Sequence, residues 1–229
     1  KTILKNLYKF ICYNFFKIIY GKISVKKNND FQKNINIFQI KNNKILTYTS
    51  KNYKVYQIFF GRIYNDNVQN VGIINQNNIV SGPSYQQING ELRNADQNIC
   101  VKYGTPRFKK RILGRTLNLS QGASGHYNYS HWLLDMLPKL KLYSEVFSFK
   151  DLDYIYLNKL NNFQKSSLDL LDLKNLKIID SSKFKHIQCN ELISTQHPSY
   201  FKGYILDQAQ YIPEWIIHWL RESFLKKSI

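Results

Sequence analysis

The chain has 229 residues, of which 43% are hydrophobic, and its 33 Lys and Arg against 15 Asp and Glu give a formal net charge of +18. The hydrophobic content excludes wholesale disorder, and the length allows one large core or two small ones. A strong positive charge favours anionic partners such as nucleic acid, phospholipid or phosphorylated ligands. However, the basic residues are mostly Lys, are scattered, and form no RNA-binding, zinc-knuckle or recognition-helix pattern. We therefore expect no specific nucleic-acid partner.

The three cysteines indicate a reducing compartment. Cys12, Cys100 and Cys189 are far apart and odd in number, which is a poor framework for disulfide bonds. We therefore expect a cytoplasmic protein. His186 and His197 flank Cys189, but no second cysteine lies at a zinc-ligand spacing from it, so no metal site is predicted here.

Residues 1–25 carry an amphipathic pattern that predicts a helix, either alone or followed by a strand. Lysines fall at multiples of four on one side, whereas Leu4, Ile11 and Ile18 fall on another. Charges interrupt the apolar run too often for a membrane span, and no small-residue cleavage site marks a signal peptide. Two interpretations stay open: a surface helix packed on the domain, or an interfacial helix in peripheral contact with the inner face of the cell membrane.

The remainder of the chain divides by pattern into two parts. After a polar linker at residues 26–34, residues 35–100 contain short β-like runs separated by Asn-rich turns, which predicts a β-rich N-terminal segment. Strand and helix patterns then alternate, so residues 101–229 are predicted to form a Rossmann-like α/β domain with a parallel sheet. In such sheets the site lies at the carboxyl ends of the strands.

The stretch NYSHWLLDMLPKL, residues 128–140, is predicted to be the helix that carries the site. A strand-like segment and a Gly-containing loop, QGASGH, precede it. Asn128 is a favourable N-cap, and a helix that begins there brings Asn128, His131, Asp135 and Lys139 to one face. Pro138 cannot donate a backbone hydrogen bond, but the apolar period continues beyond it, so we expect a kink and not an end.

Two hypotheses compete for this polar face. In the first, Asp135 and Lys139 form a surface ion pair worth about 0.3 to 0.5 kcal/mol, and His131 is only a packing residue. In the second, Asp135 accepts a hydrogen bond from His131, which orients the ring and raises its basicity, as a positioned base requires. Gly125 and its neighbours would then let backbone amides approach an anionic or hydroxyl-rich ligand. Spacing alone does not decide between them.

The same stretch resembles the hallmark helix of family 61 glycosyltransferases, whose bacterial form reads Asn-Tyr-x-His-Trp-Leu-x-Asp-x-Leu-Pro-Arg/Lys-Leu. The downstream order is also similar: a strand LDYIYL, a helix, KIID, a strand ELIST and a closing helix IPEWIIHWLRESFL. The resemblance covers residues 103–226, the first half of the family's catalytic region. It implies the N-terminal, acceptor-side half of a GT-B fold, with the C-terminal donor domain absent from this sequence.

The resemblance further implies a reaction. A sugar is transferred from a nucleotide sugar to a hydroxyl of a glycan or lipid-linked acceptor, as in polysaccharide biosynthesis, without a cofactor and without an obligatory metal. We expect this chain alone to be a fragment that folds but is inactive, because nothing in it supplies the surface that stabilises a departing nucleotide.

The predicted site residues fall into two groups. His131 and Asp135 are the catalytic candidates, as the base and the residue that orients it or is itself the base. The substrate-binding candidates are Asn128, His126, Gly125 and Arg115.

Two functions from other classes remain as alternatives: a non-catalytic, membrane-peripheral binding domain and a basic nucleic-acid-binding domain. Asp151 and Asp153 also resemble a metal-binding Asp-x-Asp pair, but they precede the strand they should follow. We therefore expect them to be loop or capping residues.

Overall fold

The computed structural model describes residues 2–25, 33–40, 52–66, 70–88, 91–122, 127–199 and 210–225. The strands are β1 (Ile35–Ile40), β2 (Tyr53–Phe59), β3 (Arg62–Asn65), β4 (Val71–Asn75), β5 (Asn78–Ile79), β6 (Gln86–Ile88), β7 (Glu91–Arg93), β8 (Lys110–Asn118), β9 (Tyr154–Leu157), β10 (Lys177–Asp180) and β11 (His186–Thr195). The helices are α1 (Thr2–Tyr20), α2 (Ile99–Tyr103), α3 (Tyr129–His131), α4 (Pro138–Ser144), α5 (Asn162–Leu170) and α6 (Glu214–Phe224). The protein is therefore of the mixed α/β class.

One half of the main sheet is parallel. Strands β10, β9, β8 and β11 lie side by side in that order, and each neighbouring pair is parallel. The connections between β8, β9 and β10 contain helices, as parallel strands require because their ends lie far apart. This half confirms the prediction of an α/β fold with parallel strands.

The other half of the sheet is antiparallel and is built from the β-rich N-terminal segment. The amino half of β11 pairs with β3 and its carboxyl half pairs with β2, both antiparallel. Strands β4 and β5 extend the sheet beyond β3, and β1 pairs with β2. The predicted boundary near residue 100 therefore does not separate two sheets, because β11 is hydrogen-bonded to strands from both sides of that boundary.

The helix after β8 continues through Pro138, as predicted. Between α3 and α4 a π-helical turn spans Trp132–Met136, in which Leu137 N donates to Trp132 O five residues back, at 2.8 Å. Pro138 then occupies the first turn of α4, where its missing N–H costs little. The wider turn accommodates the proline ring without ending the helix.

This helix is fastened to the sheet by its apolar side. Trp132, Met136, Leu137 and Leu140 are at most 1% exposed and belong to the larger hydrophobic cluster of the protein. Burial of each such side chain contributes about 1.5 to 3 kcal/mol, so the position of the helix is strongly determined. The polar residues of the same helix are consequently held over the carboxyl end of β8.

Helix α1 contacts the described remainder of the chain mainly through its second half. Phe16 is buried and packs edge-to-face on Phe108, with ring centroids 5.1 Å apart. Lys109 N donates to the Tyr20 hydroxyl at 3.0 Å. Among the described residues, no helix combines the length and the apolar character that crossing a membrane requires.

Candidate functional site

His131 and Asp135 form a hydrogen-bonded pair near the start of the motif helix. His131 Nδ1 lies 2.6 Å from Asp135 Oδ2. The Asp135 side chain is 2% exposed, whereas that of His131 is 28% exposed. The pair therefore consists of a carboxylate inside the protein and a ring that reaches the surface. This contact is the one that the second hypothesis predicted.

The hydrogen bond between the two residues favours the charged form of each, which changes their pKa values. The hydrogen bond to Asp135 raises the pKa of His131 above its ordinary value of 6.5, although partial burial of the ring opposes the change. Burial alone would raise the pKa of Asp135. The charge of His197 and the hydrogen bonds from His131 and Ser199 outweigh that effect, so the pKa of Asp135 is lowered. Asp135 is consequently ionised at neutral pH even though it is buried.

Two residues after β11 also contact Asp135. The Ser199 hydroxyl donates a short hydrogen bond to Asp135 Oδ1, and His197 Nε2 lies 3.9 Å from the same oxygen. Because Ser199 N donates to His197 Nδ1 at 3.1 Å, a neutral His197 carries its proton on Nε2, which points toward the carboxylate. We name His131, Asp135, His197 and Ser199 the acid–imidazole network.

The turn that carries His197 and Ser199 is held in place by hydrogen bonds from Tyr53 and Trp215. The Tyr53 hydroxyl donates to Pro198 O at 2.8 Å, and Trp215 Nε1 donates to that hydroxyl at 3.2 Å. Tyr53 and Trp215 are both buried. A strand from the β-rich segment and helix α6 therefore jointly hold this turn against the motif helix.

Lys139 is buried and holds the loop that follows β8. Its Nζ donates to Ser120 O at 2.9 Å and to Leu119 O at 3.3 Å, and its side chain is 1% exposed. Burial lowers the pKa of Lys139 to about 7, although the charge of Asp135 opposes the change. The first hypothesis is therefore wrong about a surface ion pair, because Asp135 and Lys139 both lie inside the protein.

The predicted substrate-binding residues occupy different places. Asn128 is the N-cap of α3: its Oδ1 accepts from Ser130 N at 3.0 Å and from His131 N at 3.3 Å. It thereby aligns the first turn that presents His131. Gly125 and His126 lie outside the described residues.

None of the described contacts of Arg115 is with the acid–imidazole network. Its guanidinium binds Glu191 at 2.8 Å, lies 3.7 Å from Asp151 Oδ2, and stacks on the Phe147 ring. Arg115 N also donates a hydrogen bond to the Asp153 carboxylate, at 2.7 Å, ahead of β9. The structure thus places Arg115 and both acidic residues at the amino end of β9. Asp153 is a loop residue as predicted, whereas Asp151 ends a short 3-10 turn, Phe149–Asp151.

Sequence reasoning did not identify Ser199 as a site residue, and it considered His197 only as a zinc ligand. The available signal was their position directly after β11, since sites of α/β proteins gather at the carboxyl ends of strands. Among the described residues, no group of three or more His, Cys, Asp or Glu side chains is arranged to hold a metal ion.

The network has the composition of a proton-transfer site. With Nδ1 of His131 donating to Asp135, the lone pair of a neutral ring lies on Nε2. Among the described residues Nε2 has no hydrogen-bond partner, so it is free to accept a proton from a bound hydroxyl. Comparisons with protein-family models, with curated proteins and with solved structures found no match for this chain.

Proposed function

We propose that this chain is the acceptor-side part of a glycosyltransferase that transfers a sugar from a nucleotide sugar to a hydroxyl of a glycan or lipid-linked acceptor. The hydrogen bond between His131 and the buried carboxylate of Asp135 is the observation that carries the proposal. An acceptor hydroxyl must lose its proton as the new glycosidic bond forms. A positioned base typically contributes about 10² to 10⁴ fold to such a rate.

His131 is the proposed base and Asp135 the residue that orients it. Nε2 takes the proton of the acceptor hydroxyl, while Nδ1 keeps its hydrogen bond to the carboxylate. The imidazolium that forms is then paired with a negative charge, so the buried carboxylate and the protonated ring neutralise each other. Ser199 and His197 help to keep Asp135 ionised in the resting protein, which is the state this role requires.

A Rossmann-like half of a GT-B fold is part of the same proposal. Four parallel strands with the network at the carboxyl end of β8 and β11 support it, because open α/β sheets bind ligands at that edge. The resemblance of residues 128–140 to the family 61 hallmark helix supplies the reaction class. The donor nucleotide sugar is a substrate in this proposal, and no cofactor or metal takes part.

The test is a nucleotide-release assay on the full-length gene product with a panel of nucleotide sugars and oligosaccharide acceptors. We expect His131→Ala to reduce turnover at least roughly tenfold, because the proton acceptor is lost. The matched control is His218→Ala, which removes an exposed histidine of α6 and should leave turnover unchanged. In the unsubstituted protein, turnover should rise with pH through a pKa above 6.5, since His131 must be neutral to act.

Two outcomes would contradict the proposal. One is the absence of nucleotide release from every donor and acceptor pair in the panel. The other is a fall in the melting temperature of His131→Ala that is large enough to account for its loss of turnover. That result would mean that the histidine only holds the helix in place.

A further inference from the structure

Helix α1 exposes a continuous apolar surface. Six large side chains between 49% and 84% exposed form what we name the outer stripe: Ile3, Leu4, Leu7, Ile11, Phe15 and Ile18. At about 100° per residue these positions fall within one third of the helix circumference. A surface helix of a globular protein normally directs such a stripe toward the core. Here the stripe is directed outward.

The contacts of α1 explain this orientation. The side that faces the described remainder of the protein carries Tyr13, whose ring lies 4.8 Å from that of Tyr103, and Phe16, which packs on Phe108. The outer stripe lies on the opposite side. No described residue covers it. An apolar surface of this size generally marks an interaction site.

The charge of the helix indicates what covers the stripe. Helix α1 contains no acidic residue, and Lys17 and Lys5 are the first charged positions reached on either side of the stripe at helical spacing. Their long side chains can keep the ammonium groups at a polar surface while their stems lie along apolar material. An apolar stripe with basic residues and no acidic residue on the rest of the helix is typical of helices that lie in the surface of an anionic membrane.

A second copy of the chain fits this surface less well. Two molecules that each carry a formal net charge of +18 would repel one another when their basic helices meet. Anionic lipid headgroups instead attract each lysine near the surface. The length of α1, about 28 Å for 19 residues, suits a helix that lies flat in the interface.

We propose that α1 inserts its outer stripe into the surface of an anionic lipid membrane and thereby attaches the protein to it peripherally. This inference does not depend on the proposed glycosyl transfer, because it concerns α1, which carries none of the residues of the acid–imidazole network, and its test measures no turnover. The apolar stripe provides insertion, and the lysines of the helix provide the preference for anionic lipid.

Vesicle co-sedimentation of the full chain tests the proposal. We expect binding to phosphatidylglycerol vesicles and at least roughly tenfold weaker binding to phosphatidylcholine vesicles. The triple variant Leu4→Gln, Ile11→Gln, Ile18→Gln should bind phosphatidylglycerol vesicles at least roughly tenfold more weakly, since glutamine keeps the helix but cannot insert. Its matched control substitutes three aliphatic residues that are exposed elsewhere, Ile37→Gln, Leu113→Gln and Ile217→Gln, and should change binding less than about twofold.

The outcomes separate the possible occupants of the stripe. Equal binding of the two triple variants overturns the proposal, as does failure of the unsubstituted chain to bind phosphatidylglycerol vesicles. Sedimentation velocity of the same proteins without lipid provides a further check. A dimer that the α1 variant loses and the control variant keeps would assign the stripe to a second copy of this chain and would also overturn the proposal.

Discussion

Two histidines lie at opposite ends of the parallel strands, and different groups surround them. His131, over the carboxyl ends, is bonded to the carboxylate of Asp135, and its pKa is raised. His186, at the amino end of β11, packs between the rings of Tyr20 and Tyr64, and its Nδ1 is hydrogen-bonded to the Arg107 carbonyl. Burial, together with nearby positive charges, lowers the pKa of His186 to about 4.

The comparison separates burial from basicity. His186 is buried and His131 is partly buried, and for both rings the removal from water favours the neutral form. Only the ring with a carboxylate neighbour gains basicity in spite of it. A buried histidine without such a neighbour is a packing residue at neutral pH, whereas His131 has the properties of a proton acceptor.

Removal of the carboxylate should have the largest effect. Asp135→Ala leaves His131, Ser199 and His197 without their shared acceptor, and loss of one member of a buried charged pair costs about 3 to 5 kcal/mol. Urea denaturation at pH 7 measures the free energy of unfolding. Asp135→Asn keeps an acceptor without the charge and should lose less. A loss below about 1 kcal/mol in the alanine variant would mean that the network contributes little to the fold.

Replacement of His186 should have the next largest effect, and the effect should depend on pH. The folded pKa of about 4 lies below the ordinary value of 6.5, so the unfolded chain binds more protons between these values and stability falls as pH falls through this window. In His186→Phe this part of the pH dependence should disappear, a difference on the order of 3 kcal/mol between pH 7 and pH 4. Melting temperatures over this range measure it. An unchanged pH profile would show that His186 is not held neutral.

Replacement of His131 should have the smallest effect on stability. The contribution of His131 should depend on pH in the direction opposite to that of His186. The folded pKa of His131 is raised, so its contribution is complete below the ordinary pKa of 6.5 and is lost as pH rises through the folded value. The difference in melting temperature between the unsubstituted chain and His131→Gln should therefore be larger at pH 6 than at pH 9. Proton NMR of the imidazole signals offers a direct check, in which the His131 signal titrates above pH 6.5 and the His186 signal well below it. Coincident titration of both rings would remove the distinction on which the comparison rests.

Local sequence rules determined the helix that carries the candidate site. The N-cap preference of Asn128, the apolar spacing through Met136 and Leu140, and the four-residue spacing of His131 and Asp135 all refer to residues within one or two turns. Such short-range features are visible in the sequence, and the helix and the His131–Asp135 contact were predicted from them. The parallel strands were also predicted, because alternation of strands and helices is a local pattern.

Only the tertiary structure decided what surrounds that helix. Ser199 lies 64 residues from Asp135 along the chain, and Tyr53, which supports the turn of Ser199, lies 145 residues from Pro198. No spacing rule relates positions so far apart. The burial of Lys139 likewise depends on the tertiary structure. Its partners, the Leu119 and Ser120 carbonyls, lie directly after β8, and only the folded sheet brings them near the charge. One of the two hypotheses drawn from the sequence placed a surface ion pair there, because the sequence carries the charge of each side chain but not the environment that folding gives it.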